Sequence, residues 1–469
     1  MPLASIPADE ASRNLRRSRA SLWPDDRVPG DRLSGVAKLE LRPTFQFGVE
    51  DRILTLGSCF AREIEFRLME LGFDCPLVGA AIPTEEQRSK VQNGLLIKYT
   101  IQSIENELRW AAGEAAPEPE ALFLEIGDGV WHDPQLVANA PPLPMDRVKA
   151  RRALVQEAMA QFTSCRVVIV TLGLAEAWFD EQTSLYLNVA PPAPALSRYP
   201  GRFRLDVLDH DDILQSLERI WALLRSRGPA DLKMLLTVSP VPFKATFSGE
   251  DAITANAYSK AVQRAAASAF VRRHADVDYF PSYEIVTMTA REQAYEPDNI
   301  HVAPALVRHI TDMVLRAYAP EVADRLPEGE APRLGRSDSR THLDYFSLAK
   351  HHLAAREFEQ AETVARELIA QFGASISRRD RSISHYLLGT ALMGAHRWAA
   401  GAAELEHAAG FDPQQGVVLY KLGQCHEHLG DWPQALAAYQ GAVELNSAWP
   451  AYAKALARAR ALAPASPAR

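Results

Sequence analysis

Between about Met145 and Leu326 the chain alternates short apolar runs with helix-length stretches, and this alternation restricts the fold more than any other feature. RVVIVTLGL and KMLLTVSPVP are strand-sized and apolar at both alternating sets of positions. A strand made from either must therefore be covered on two faces. Segments such as DDILQSLERIWALLRSRG and ITANAYSKAVQRAAASAFVRRHA follow them and are long enough for crossover helices. None of these junctions offers a two-residue hairpin turn, so the strands are expected to run parallel. RILTLG at residues 52–57 begins the same pattern, and VDYFPSYEIV reads as its last strand. The expected architecture is a three-layer α/β domain over residues 45–325.

At 469 residues the chain exceeds one ordinary core, so two or three domains are expected. Residues 1–44 are rich in Arg, Pro and Asp and read as an irregular arm, and 326–341 read as a polar linker. The net charge of −8 argues against non-specific binding to nucleic acid. No phosphate-cradling glycine loop or metal-ligand spacing is visible, so neither a metal nor a cofactor is expected. Cys59, Cys75, Cys165 and Cys425 are scattered and imply no disulfide framework, which favours a reducing compartment. The first residues lack the apolar core of a signal peptide. The longest apolar run, Val167 to Leu174, is far short of the ~20 residues that span a bilayer. A cytoplasmic location is expected.

Residues 342–465 repeat. Leu388-Gly389 and Leu422-Gly423 lie 34 residues apart, as do Trp398 and Trp432. Leu348-Ala349 and Phe358 occupy the same phase one unit earlier, with a short insertion between. Ala361 and Ala435 stand at the small position of the second helix, where Gly401 takes that place in the middle unit. This resembles tetratricopeptide repeats, in which small residues let paired helices approach. The resemblance implies either a groove for a protein partner or a helical cap, with the Ala-rich tail as a solvating end helix.

The candidate chemistry begins at RILTLGSCFA, a strand, a sharp turn and a helix start. It places Ser58 and Cys59 at the C-terminal end of a strand, where open α/β sheets bind ligands. A helix N-terminus lowers a thiol pKa, and beside an imidazole Cys59 is expected to be partly thiolate at neutral pH. Far downstream, Asp298 and His301 are spaced so that the carboxylate can hold one imidazole nitrogen and leave the other free. Glu176 and Trp178 follow a strand end and face the same crevice. Ser239, with the loop to Thr246, is placed to shape a pocket. Asn256, Tyr258, Ser259 and Lys260 open a long helix and read as caps and surface, and Glu284 reads as a solvated or paired charge.

TLGSCFAREI, TLGLAEAW, TVSPVPFKATF, ANAYSKAVQRAA and DYFPSYEIV, in this order, resemble the GSCFA family. That family is grouped with the SGNH/GDSL hydrolases on a flavodoxin-like sheet. The resemblance implies that Gly57 and Cys59 take the places of the glycine and nucleophilic serine of the first hydrolase block, with Ser58 the other candidate nucleophile. Asp298 and His301 fall on the final Asp-x-x-His block, and Gly94 on the glycine that donates to the oxyanion. The third block, Gly-x-Asn, departs: Gly173-Leu174-Ala175 lacks the Asn, and Glu176 follows. Either Asn93 supplies the missing donor or the site does other chemistry. The implied activity is hydrolysis or transfer of an O-acyl group through an acyl-enzyme, on a small-molecule or glycan acyl ester, cell-envelope precursors included. The alternative is a non-catalytic binding module that acts as an adaptor through its repeats.

Overall fold

The computed structural model describes residues 2–24, 32–33, 35–79, 82–83, 94–326, 342–354, 356–446 and 449–463. It divides into two compact units, Met1–Gly335 and Arg336–Arg469. In the first unit β1 (Ile53–Gly57) leads into α1 (Cys59–Glu70), and α2 (Ile101–Ala111) and α3 (Met145–Ala160) precede β2 (Val167–Leu172). Then come α4 (His210–Arg227), β3 (Lys233–Val238), α5 (Ala252–Arg273) and β4 (Val277–Tyr279), closed by α6 (Ser282–Met288) and α7 (Pro304–Tyr318). The four strands are parallel and lie side by side in chain order.

The two-faced apolar pattern explains the layers. Leu54, Leu56, Val168, Val170, Leu172, Met234 and Leu236 point into a core shared with α2 to α5. Ile53, Val167, Ile169 and Leu235 point the other way, into a core with α1, α6 and α7. This is the three-layer α/β arrangement expected. The outer strand that a flavodoxin-like order would add beside β1 is reduced to one parallel bridge, Arg52 to Asp74.

Local readings depart in three places. VDYFPSYEIV is not one strand: β4 stops at Tyr279, and Pro281, which has no N–H for the ladder, precedes α6. The stretch from Glu176 to Val207, which the alternation of apolar strands and helices leaves unassigned, folds into an antiparallel sheet of Glu176–Asp180, Leu185–Tyr186 and Phe203–Val207. The arm read as irregular carries a helix, Ala8–Arg17, with an Asp9–Arg13 ion pair one turn apart and no buried side chain. Beyond it, Val36, Phe45 and Phe47 are buried in the second core, so packing begins before residue 45.

Among its described residues the second unit holds three helix pairs. They are α8 (His342–Ala354) with α9 (Phe358–Phe372), α10 (Arg378–Gly394) with α11 (Trp398–Phe411), and α12 (Gly416–Leu429) with α13 (Trp432–Leu445). Ala361, Gly401 and Ala435, the small positions, are all buried. The end helix α14 (Pro450–Leu462) does more than solvate: Ala455, Leu456 and Ala459 pack with Ala435 and Tyr439. Among the described residues no helix is long and apolar enough to cross a membrane.

Candidate functional site

The turn after β1 is built on Gly57. Its φ of +129° is closed to side-chain-bearing residues, and a Cβ there would lie 2.2 Å from the Thr171 carbonyl oxygen. Ser58 follows as the cap of α1 and is only 4% exposed; its hydroxyl donates to Ser239 Oγ at 3.1 Å. The Ser239 N–H in turn bonds to Leu172 O at 2.8 Å, so this pair ties together the ends of β1, β2 and β3. Cys59, the first residue of α1, stays partly exposed. Its own and the Phe60 backbone N–H face the sulfur.

The segment before α2 forms one wall. Gly94 is buried at the start of a 3-10 turn, Gly94–Leu96. Farther on, the Lys98 N–H donates to Gly57 O at 2.8 Å and the Leu174 N–H to Tyr99 O at 2.8 Å. Asn188 fixes this wall, accepting from the Tyr99 N–H at 2.7 Å and donating to Ile97 O at 3.0 Å. Asn93 lies outside the described residues.

The other wall is α5, and here the sequence reading misplaced a residue. Lys260 is not on the surface; it is 1% exposed, and Nζ donates to Gly173 O at 2.8 Å. Gln263 Nε2 donates to the same oxygen at 3.2 Å, and Ser259 accepts from the Ala175 N–H at 3.0 Å. The available signal was helical phase: Lys260 is seven residues before Ala267 and ten before Phe270, both fully buried. Burial draws the Lys260 pKa down to about 7, against the pull of the Cys59 charge.

Burial also corrects the expected thiolate. It pushes the Cys59 pKa up, and Glu63 adds to the rise. The helix N–H groups and Lys260 oppose the rise without overcoming it. Tyr99 is pushed up to about 12 by burial and by Cys59. At neutral pH the free site therefore holds a protonated thiol.

Glu176 faces the loop after β3. Its buried carboxylate accepts from Thr246 Oγ1 and, at 3.0 Å, from the Phe247 N–H. Trp178 meets the Phe247 ring edge-on at 5.4 Å. Glu284, as expected, is paired, with Arg264 at 2.6 Å and the Tyr279 hydroxyl at 2.9 Å.

Asp298 and His301 do form a pair. Asp298 Oδ1 accepts from the Ile300 and His301 N–H groups at 2.9 and 3.0 Å, and the His301 Nδ1–H donates to Oδ2 at 2.5 Å. Partial burial would raise the Asp298 pKa, but the imidazole and the two N–H groups outweigh it and the net shift is downward. The His301 side chain is 60% exposed and makes no hydrogen bond to Cys59 or Ser58. Its loop is fastened to the same sheet edge by Tyr295, whose hydroxyl donates to Pro240 O, next to Ser239, at 3.1 Å. Among the described residues, two sets of side chains have donor atoms within 4.8 Å of one another: Glu296 with Asp298 and His301, and His385 with Glu404 and His407.

A tetratricopeptide repeat model matches residues 417–449. The TPR domain of OM64 from Arabidopsis is similar at 15% identity and a TM-score of 0.24, covering 26% of this chain and 95% of that one. The Sgt2 TPR domain from Aspergillus fumigatus is similar at 19% and 0.24, covering 27% and 83%. MamA from Desulfovibrio magneticus is similar at 19% and 0.23, covering 40% and 94%. No curated protein matches. The GSCFA family model matches residues 52–313, more than half of the chain, and the protein belongs to that family.

Proposed function

We propose that the Cys59 crevice performs acyl transfer. The Cys59 sulfur attacks the carbonyl of an acyl ester, an acyl-thioester forms, and the acyl group passes to water or to a second hydroxyl. The observation that supports this reading is a partly exposed thiol on the first turn of a helix at the C-terminal edge of a parallel sheet. Ser58 is the weaker nucleophile because its hydroxyl is buried and bonded to Ser239. Backbone N–H groups of Cys59 and Gly94 are assigned to the oxyanion. Asp298 orients His301, which protonates the departing oxygen and accepts the proton of the incoming hydroxyl. Gly57, Gly173, Trp178 and Ser239 shape the pocket, and Glu176 acts through the loop it holds. The substrate class is an acyl ester of a small molecule or a glycan, with cell-envelope precursors included by fold-level analogy.

The test is p-nitrophenyl acetate turnover by the wild type and by Cys59→Ala, Ser58→Ala and His301→Ala. The expected result is turnover that falls roughly 100-fold or more in Cys59→Ala and His301→Ala. Ser58→Ala retains more activity than Cys59→Ala. No turnover in any of the four, or equal turnover in all, favours a second reading: a binding module whose repeats hold a protein partner. The repeat match at 417–449 supports a protein-binding role for that unit under either reading.

A further inference from the structure

We propose that Lys260 accepts the Cys59 proton, so that the two form a thiol–amine dyad across the ends of β1 and β2, with His301 left to serve the leaving group and the acceptor. The inference deepens the acyl-transfer reading and rests on it for its role in turnover. The placement follows from register. Gly57 pairs with Thr171, Cys59 lies two residues past the first, and Gly173 lies two residues past the second. Neighbouring strands run ~4.8 Å apart, so both positions share one edge. Lys260 reaches this edge from α5, with Nζ on Gly173 O.

The surroundings of Lys260 differ from those of three other buried cations. Arg62 is paired with Glu65, Lys98 with Glu107, and Arg152 with both Glu107 and Asp133. Lys260 donates to a carbonyl, feels the charge of Cys59 and, among the described residues, has no carboxylate partner. A buried ammonium without a counter-charge is strongly unfavourable, so the neutral amine is favoured. Gln263 also donates to Gly173 O, so that oxygen keeps a partner when the amine turns away. The titratable groups acting on Cys59 from the packed elements are Lys260 on α5, Tyr99 before α2 and Glu63 on α1, the last under the influence of Arg308.

Burial acts on the two partners in opposite directions, lowering Lys260 to about 7 and raising Cys59. Just above neutrality the resting pair is therefore a thiol beside a free amine. When an ester carbonyl enters, the S–H bond breaks, its proton moves to Nζ, and the sulfur electron pair forms the C–S bond. The carbonyl oxygen takes up the negative charge. Collapse of that adduct breaks the ester C–O bond, and the departing oxygen takes a proton from the imidazolium form of His301; the incoming hydroxyl later restores that proton, and Nζ returns its own to the sulfur as the thioester is cleaved.

The test is the pH dependence of Cys59 alkylation by iodoacetamide in the full chain, read by peptide mass. The buried Cys75, Cys165 and Cys425 serve as internal references. The wild-type rate is expected to rise through an inflection near pH 7, the Lys260 value. Lys260→Met and Lys260→Arg should lose that inflection and label roughly tenfold or more slowly at about pH 8. Arg separates the roles, because it keeps a positive charge but does not accept a proton. A wild-type profile that rises only at the raised thiol pKa, or an inflection that survives in either variant, overturns the dyad. If the variants do not fold, the wild-type profile alone decides. The readout needs no ester turnover. An inflection near neutrality without p-nitrophenyl acetate turnover keeps the dyad and discards acyl transfer, and turnover without that inflection does the reverse.

Discussion

Gly57 and Lys260 are the two residues whose replacement separates shape from charge in the crevice. Gly57→Ala places a Cβ against the Thr171 carbonyl and forces an L-residue into φ +129°. A loss of about 3 kcal/mol is expected in chemical denaturation, from strain and from displacement of β1 against β2. Lys260 has the opposite sign. Its pKa falls from 10.5 to about 7 on folding, so between those values the unfolded chain holds a proton that the folded chain lacks. Stability then rises with pH above about 7, whereas below it both states are protonated and the buried charge is fully unfavourable. Lys260→Met should melt higher than the wild type at about pH 6.5, with the gap narrowing toward about pH 8.5. A gap that stays constant would mean that Lys260 keeps its charge in the fold. The Cys59 turn was legible in the sequence because strand, glycine and helix start are contiguous. Lys260 was not, because a lysine some two turns into a helix is ordinarily surface, and only its phase with Ala267 and Phe270 marks it as inward.

Among the elements, the parallel strands were legible because both of their faces are apolar. The antiparallel sheet at 176–207 was not, since its strands carry charges such as Glu176, Asp180 and Arg204 and are interrupted by Pro-rich loops. Nor did the spacing reveal what holds α2 against α3. Buried Glu107 accepts from Arg152 at 2.7 Å and from Lys98 at 2.5 Å, while Asp133 accepts from Arg152 at 2.9 Å. Glu107→Gln takes the only paired carboxylate shown for Lys98 and one of the two shown for Arg152, and is expected to cost about 3–5 kcal/mol in urea unfolding. A loss under about 1 kcal/mol would show that water compensates those cations. The missing Asn of the third hydrolase block is another element-scale matter. Glu176 is engaged with Thr246 and Phe247, and Asn188, the buried amide nearby, is used up in fixing the wall at Tyr99. Glu176→Ala frees the loop after β3, and limited proteolysis should cut near Phe247 sooner than in the wild type.

The molecule as a whole joins a GSCFA unit to a unit of helical repeats, each with its own buried clusters. Leu405 is fully buried in the repeats, and Leu405→Ala should destabilise that unit by about 2–5 kcal/mol. The alkylation rate of Cys59 in the other unit should not change. The reaction itself is tested most directly by trapping its intermediate. His301→Ala, mixed with p-nitrophenyl acetate and quenched in acid, should carry one acetyl group on the peptide containing Cys59, released by hydroxylamine and absent from Cys59→Ala. Acetylation elsewhere, or none on Cys59 while p-nitrophenol release continues, would contradict acyl transfer through this thiol.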